Sequence, residues 1–265
     1  MLSLEAVSYR YPGSSAPALE EVSLSLSEGE VVGLVGANEA GKSTTCLVAA
    51  GLAPRAVGGT LGGRVTVDGH ALGNLDPGEL AAVVGIAFAT PLLSGVCSTV
   101  YEEVAFGPMN LGLPRNEVMA RTARALEAVA VGDLASRDPE HLSGGQQQLV
   151  VLAGLLAMEP RHLVLDEPTA QLDPVGTRLV GEAITRLAAG GASILITEQK
   201  TDLLAAVCGR VLALERGRVA LEGPAAMVLA DPRLEALGIE APTSVRLRRL
   251  AVAAGVDPGR LEGAA

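Results

Sequence analysis

Gly36-Ala37-Asn38-Glu39-Ala40-Gly41-Lys42-Ser43-Thr44 decides how the rest of this chain is read. The run matches G-x-x-x-x-G-K-[ST], a phosphate-binding loop. Residues 31–35 before it are short, apolar and β-branched, as in a buried strand, and residues 43–52 after it suit a helix. Glycines let the backbone curl until successive N–H groups point inward at phosphate oxygens. A helix starting near Lys42 adds the positive end of its dipole. In this pattern Lys42 reaches the β- and γ-phosphates of a nucleoside triphosphate, and Ser43 offers its hydroxyl to Mg²⁺. Lys42 and Lys200 are the only lysines in a chain that otherwise uses arginine. A lysine kept where a compact point charge is wanted fits that role. The bland alternative is a glycine-rich turn with no ligand.

The 265 residues suit one large domain or slightly more. Aromatic residues make up 2% of the chain, so Leu, Val, Ala and Ile must fill the core. A net charge of −10 argues against a nucleic-acid partner, which would need a basic face. The start, MLSLEAVSYRY, does not look like a signal peptide. Residues 80–96 carry no charge, but Gly85, Pro91 and Gly95 break them. They read as a core strand leading into a loop, and any membrane role is expected to be peripheral. Cys46, Cys97 and Cys208 lack metal-ligand spacing and read as buried small residues in a reducing compartment.

Residues 2–10 and 20–27 alternate apolar and polar, as in an antiparallel sheet with one wet face. Between them Tyr9 and Tyr11 flank a turn. Either tyrosine could simply pack, and Tyr11 is the better candidate for stacking on an adenine ring. Residues 63–69 read as a strand closed by Asp68-Gly69, and residues 83–88 as another buried strand. Residues 114–131 read as a helix burying Val118, Thr122, Ala125, Leu126 and Val129. After Leu142-Ser143-Gly144-Gly145-Gln146 comes an apolar helix over residues 147–158. A strand then ends in Asp166-Glu167. Beside a phosphate loop, Asp166 can hold Mg²⁺ through water and Glu167 can orient or deprotonate an attacking water. The alternative is an exposed acidic turn, which the apolar run before it disfavours. Further on lie a helix carrying Val175, Leu179, Ala183 and Leu187, and a strand over residues 192–197. A short helix, two strands joined at Arg216-Gly217 and an arginine-bearing tail from Ala241 follow.

The phosphate loop, LSGGQ at 142–146 and the apolar strand with Asp166-Glu167, in that order, resemble the nucleotide-binding subunit of ABC transporters. The resemblance covers roughly residues 2–230, and LSGGQ is its most specific part. About one hundred residues separate Lys42 from Ser143, too few for the coiled coil of chromosome-maintenance ATPases. Residues 101–114, Tyr-Glu-Glu-Val-Ala-Phe-Gly-Pro-Met-Asn-Leu-Gly-Leu-Pro, are similar to the energy-coupling-factor ATPases, which power uptake of vitamins and metal ions. The resemblance implies an α/β P-loop NTPase core, a mostly parallel sheet with flanking helices. To this it adds an N-terminal antiparallel β subdomain and an inserted helical signature subdomain. The ATP-binding domain would span residues 1–240, with the helical part at about 90–157, and 241–265 would form a short helical tail. Residues 36–44 would bind the phosphates of ATP and Tyr11 would stack on the adenine. Ser43 and Asp166 would hold Mg²⁺, and Glu167 would be the catalytic carboxylate. Ser143, Gly144, Gly145 and Gln146 would cap the ATP held by a second ATPase subunit, with Asp173 at the dimer seam. Integral membrane coupling and solute-binding subunits would complete the assembly at the cytoplasmic face of the membrane.

The chain departs from that pattern. Ala89 stands where the family has a metal-touching glutamine, and Gln199 where it has a switch histidine. Glu39 replaces a commoner glycine, and its carboxylate is expected to point away from the phosphates. Leu149 replaces an arginine. Gln199 can donate to the γ-phosphate but carries no proton-linked charge. Losing one positioned polar contact in a transition state commonly costs ~10²-fold in rate. This implies a site that binds ATP and turns over slowly within an asymmetric heterodimer, against the alternative that both sites work. Two other readings are a nucleotide-binding structural half with negligible hydrolysis and a soluble ABC-type ATPase acting on DNA or the ribosome.

Overall fold

The computed structural model describes residues 1–255. Its first strands, β1 (Leu2–Arg10) and β2 (Leu19–Leu26), pair antiparallel, and β1 also pairs antiparallel with β4 (Thr60–Val67), which carries the short β5 (His70–Ala71) at its edge. Along β2, buried Leu19, Val22, Leu24 and Leu26 alternate with residues that keep contact with solvent, so one face of this sheet is wet.

The second sheet has six strands in the order β10-β9-β3-β8-β7-β6. These are β3 (Val31–Gly36), β6 (Val84–Ala87), β7 (His162–Asp166), β8 (Ser193–Thr197), β9 (Arg210–Glu215) and β10 (Arg218–Pro224). All neighbours run parallel except β9 and β10, which form a hairpin through Arg216 (φ 48°) and Gly217 (φ 77°). Strands β7 and β8 are buried along their whole length, as expected where both faces are covered. Alternate residues serve two cores. Val32, Leu34, Val164, Leu195 and Leu212 face the antiparallel sheet and α1 (Lys42–Ala49). Val31, Val35, Leu163, Leu165, Ile194 and Ile196 belong to a second cluster that takes in α6 (Pro174–Ala189) and α7 (Thr201–Val207). Each such side chain removed from water contributes about 1.5–3 kcal/mol before entropy is subtracted.

Helices α3 (Val100–Asn110), α4 (Arg115–Ala128) and α5 (Gly144–Met158) close a third cluster of Val100, Val104, Leu126, Val129, Leu142 and Val150. Leu149 packs against both the second and the third cluster, a position where an arginine's charge would have to be desolvated.

Several boundaries differ from the expectation. Residues 77–83 form α2 (Pro77–Val83), started by a capping box in which Asp76 accepts from Glu79 N–H, and β6 begins only at Val84. The signature helix starts at Gly144 instead of residue 147, because Ser143 caps it. In α6 the buried face is Gly176, Val180, Ala183 and Ile184, whereas Val175 is 56% exposed in the first turn. Cys97 is half-buried in the loop after β6, unlike buried Cys46 and Cys208. The tail helices are α8 (Ala225–Val228), α9 (Arg233–Ala236) and α10 (Thr243–Ala253). Arg246 and Arg249 of α10 pair with Glu240 and Glu235 of the same chain. The last part of the tail expected over 241–265, residues 256–265, lies outside the described residues.

Candidate active site

Strands β7 and β8 finish level, Asp166 beside Thr197, and β3, whose Leu34 is in register with Thr197, runs two residues further to Gly36. The chemistry-bearing residues therefore gather at the carboxyl edge of the sheet, where open α/β sheets bind ligands. Beyond β3 the chain turns through residues 36–41 into α1. Gly41 caps that helix at φ 106°, and a Cβ there would lie 2.8 Å from Leu19 Cδ2 and 2.9 Å from Ala18 O. Gly36 is equally constrained, because its Cβ would meet both Ala40 Cβ and Leu214 O at 2.8 Å. Ala40 is buried. Its carbonyl accepts from Gly217 N–H at 2.9 Å, so the β9–β10 turn props the loop from outside.

Tyr11, Asn38, Glu39, Ala40, Gly41, Lys42, Ser43, Thr44 and Glu167 line one cleft of about 450 Å³. Lys42 is only 7% exposed, and its ammonium donates to Gly36 O (2.8 Å) and Ala37 O (3.1 Å). Glu167 Oε1 lies 4.0 Å from the same nitrogen. Glu39 is exposed with φ 63°, a left-handed conformation that suits the glycine it replaces. Tyr9 and Tyr11 divide their roles. Tyr9 is buried and donates to Gly58 O at 2.5 Å. Tyr11 packs edge-on against it, with ring centroids 4.9 Å apart, and its hydroxyl shares a hydrogen bond with Thr44 Oγ1 at 3.1 Å. Tyr11 is thus the ring presented to the cleft.

Asp166 is buried, and its Oδ1 accepts from Thr197 Oγ1 at 2.7 Å. That hydroxyl and the Thr197 carbonyl both accept from Glu167 N–H at 3.0 Å. Glu167 itself has φ 48°. Such a conformation in a non-glycine residue costs about 1–2 kcal/mol and is held here by both bonds. Gln199 donates from Nε2 to Glu167 Oε1 at 3.1 Å and Oε2 at 3.2 Å. One carboxylate (Asp166) and one hydroxyl (Ser43) beside a phosphate cradle suit Mg²⁺, which takes few protein ligands and completes its shell with phosphate oxygens and water. Among the described residues no cluster of three or more His, Cys, Asp or Glu could hold a metal by itself.

Ser143, Gly144, Gly145 and Gln146 are not among the residues lining this cleft. They form a capping box in which Gln146 N–H donates to Ser143 Oγ (3.3 Å) and Ser143 N–H to Gln146 Oε1 (3.1 Å). Gly144 packs so tightly on Gln171 that a Cβ there would lie 2.2 Å from Oε1. Asp173 caps α6, accepting from Gly176 N–H at 2.7 Å. Ala89 brings only a methyl group to the end of β6, while buried Gln148 of α5 donates to Phe88 O at 3.1 Å.

Thr169, Thr197, Gln171, Glu198 and Lys200 carry contacts in this region that the motifs did not announce. Only Lys200 had a signal, as the chain's second lysine.

The ABC transporter family model matches residues 19–170, more than half of the chain, with the phosphate loop, the signature turn and Asp166-Glu167 inside it. The chain belongs to the ABC transporter ATP-binding family. An energy-coupling factor transporter ATP-binding protein of Methanosarcina acetivorans is 40% identical over 250 residues, covering 93% of this chain and 88% of that one. One from Halalkalibacterium halodurans is 38% identical over 268 residues, covering 99% and 92%. Among solved structures, cbiO1 from Clostridium perfringens, described as part of the complex cbiONQ, superposes with a TM-score of 0.77 at 29% identity, covering 96% of this chain and 98% of that one. The dimeric cassette MJ0796 gives 0.76 at 26% identity, covering 85% and 99%. This ABC ATPase binds and hydrolyses ATP. Among its described residues no helix is long and apolar enough to cross a membrane.

Proposed function

We propose that this ABC ATPase energises an energy-coupling-factor importer for a vitamin or metal ion, as one half of an asymmetric ATPase heterodimer. It lies peripherally on the cytoplasmic face of the membrane, bound to integral coupling and solute-binding subunits, and does not touch the solute. Residues 36–44 hold the triphosphate, Tyr11 stacks on the adenine, and Ser43 and Asp166 hold Mg²⁺. The domain runs over residues 1–240, with the helical part at about 90–157 and a tail from 241. The signature turn, Ser143 to Gln146, caps nucleotide on the second subunit, which fits its separation from this chain's own cleft.

The observation that carries the asymmetry is the pair Ala89 and Gln199. Glu167 is present and held at 3.1 Å by Gln199, but no polar side chain reaches the site from residue 89. With two γ-phosphate contacts altered, the site binds ATP and turns over slowly. Gentle purification of the tagged chain from its native membranes tests the assembly. A second LSGGQ-bearing ATPase together with multi-span membrane proteins supports the proposal; the chain recovered alone or with soluble partners overturns it. Nucleotide trapped on this P-loop in the recovered complex stays ATP if the site is slow. ADP at both sites means both work.

A further inference from the structure

Two side chains next to Gln199 tie the end of β8 to the loop between Glu167 and α6. Glu198 is 3% exposed. Its Oε1 accepts from Thr169 N–H at 3.0 Å and Thr169 Oγ1 at 2.5 Å, and its Oε2 from Gln199 N–H at 3.1 Å and Lys200 N–H at 3.4 Å. Four donors are what a buried carboxylate needs to offset its lost hydration. Lys200 sends its side chain back over the same loop. Its ammonium donates to Thr169 O (2.8 Å), Leu172 O (3.1 Å) and Thr177 Oγ1 (3.0 Å), so all three N–H groups have acceptors within this chain. An exposed lysine ordinarily leaves its ammonium in water. This one is committed to two backbone carbonyls of a single loop.

The position of that loop gives the contacts their meaning. It leaves Glu167 at one end, sets Gln171 against Gly144 and Gly145 of the signature turn, and ends at Asp173 on the cap of α6. The signature turn, the carboxylate and Gln199 thus share one short piece of backbone.

We propose that Glu198 and Lys200 are positioning residues for ATP hydrolysis, clasping residues 169–172 so that Glu167, Gln199 and the signature turn keep a fixed spacing. Neither side chain lines the nucleotide cleft, so the clasp acts through Glu167 and Gln199 and leaves ATP affinity to the phosphate loop. It rests on the reading of Glu167 as the group that orients the attacking water. Misplacement by about 1 Å costs up to 10²-fold in rate when the reacting groups must be aligned.

The test is single-turnover hydrolysis of radiolabelled ATP by an excess of the complex recovered from native membranes, its partner ATPase inactivated at the equivalent carboxylate, over a range of ATP concentrations, with Lys200→Met, Glu198→Gln and Thr177→Val in this chain. The expected result is a maximal rate lowered at least about tenfold in Lys200→Met and Glu198→Gln, with half-saturating ATP within about twofold of wild type. Thr177→Val, which spares both carbonyl contacts, slows the chain less. The clasp is overturned if Lys200→Met keeps the wild-type rate, or if rate and ATP affinity fall together as a general loosening would make them. Glu167→Gln in the same assay reports separately on the carboxylate. An unchanged rate there overturns the assignment of Glu167, while Lys200→Met still decides the clasp.

Discussion

Gln199 offers its amide to both oxygens of Glu167, at 3.1 and 3.2 Å, and the Lys42 ammonium lies 4.0 Å from one of the same oxygens. The two donors expected to meet a γ-phosphate are thus both arranged around one carboxylate. A γ-phosphate entering the cleft competes with Glu167 for them, and an amide, unlike an imidazole, does so without a proton-linked charge. Replacing Gln199 by His and Ala89 by Gln together should raise this site's single-turnover rate by about 10²-fold, the scale of one recovered transition-state contact. The double variant should also acquire a pH dependence near the ordinary histidine range, which the wild-type residue cannot confer. An unchanged rate would mean that Ala89 and Gln199 do not limit turnover.

Removing the buried ammonium attacks binding instead of turnover. Hydrogen bonds to charged groups contribute about 1.5–3 kcal/mol, so Lys42→Ala should weaken ATP binding roughly 10- to 150-fold in a fluorescent-nucleotide titration. Asp166→Asn should leave metal-free nucleotide binding nearly intact and reduce the gain that Mg²⁺ brings. Equal losses with and without the metal would count against Asp166 as its ligand.

Tyr11 offers a test of ring against hydroxyl. Tyr11→Phe keeps the ring and loses only the Thr44 contact at 3.1 Å, so ATP affinity should change less than about fivefold. Tyr11→Ala loses the stacking surface, worth about 1–3 kcal/mol, and should weaken ATP binding by roughly 5- to 150-fold. The same loss should appear with GTP, because every base has a π-face to stack.

A buried polar chain at the opposite edge of the sheet makes stability sensitive to acid. His162 Nδ1 shares a hydrogen bond with Ser193 Oγ at 2.6 Å, and its Nε2 one with Asp68 Oδ1 at 3.1 Å. Burial pushes the His162 pKa below its ordinary 6.5, against the pull of Asp68. Asp68 is drawn the other way. Partial burial raises its pKa, but hydrogen bonds from the terminal amine and His162 overcome this and bring it from 3.8 to about 2. Both folded values lie below the unfolded ones, so both groups stabilise the fold above the unfolded pKa and lose that contribution as pH falls. Stability should decline first below about 6.5, through His162, and again between 3.8 and about 2, through Asp68. Thermal melts across pH with Asp68→Asn should lose the lower step. A pH-independent melting temperature would refute the scheme.

Most of the fold was legible because its signals are local. The alternation in β2, the solid apolar runs of β7 and β8, and the phosphate loop each declare themselves within a few residues. Helix α2 runs into an uncharged stretch that also suits a strand, and only the Asp76–Glu79 capping box at its start marks it. The apolar face of α6 differs from the expected one at Val175, which stands 56% exposed in the first turn. Among site residues, those with a motif could be read directly. Thr169, Thr197 and Glu198 could not, since their roles arise from contacts between the carboxyl ends of β7 and β8 and the segments that follow them, about 30 positions apart. Charge type alone does not announce such contacts.

The contact from Gly217 N–H to Ala40 O, made by a hairpin turn far along the chain, has a consequence for the timing of events. The phosphate loop is held in its curl by the body of the protein, so the entropy of ordering it is incurred once, when the chain folds. Each arriving nucleotide then meets a finished receptacle.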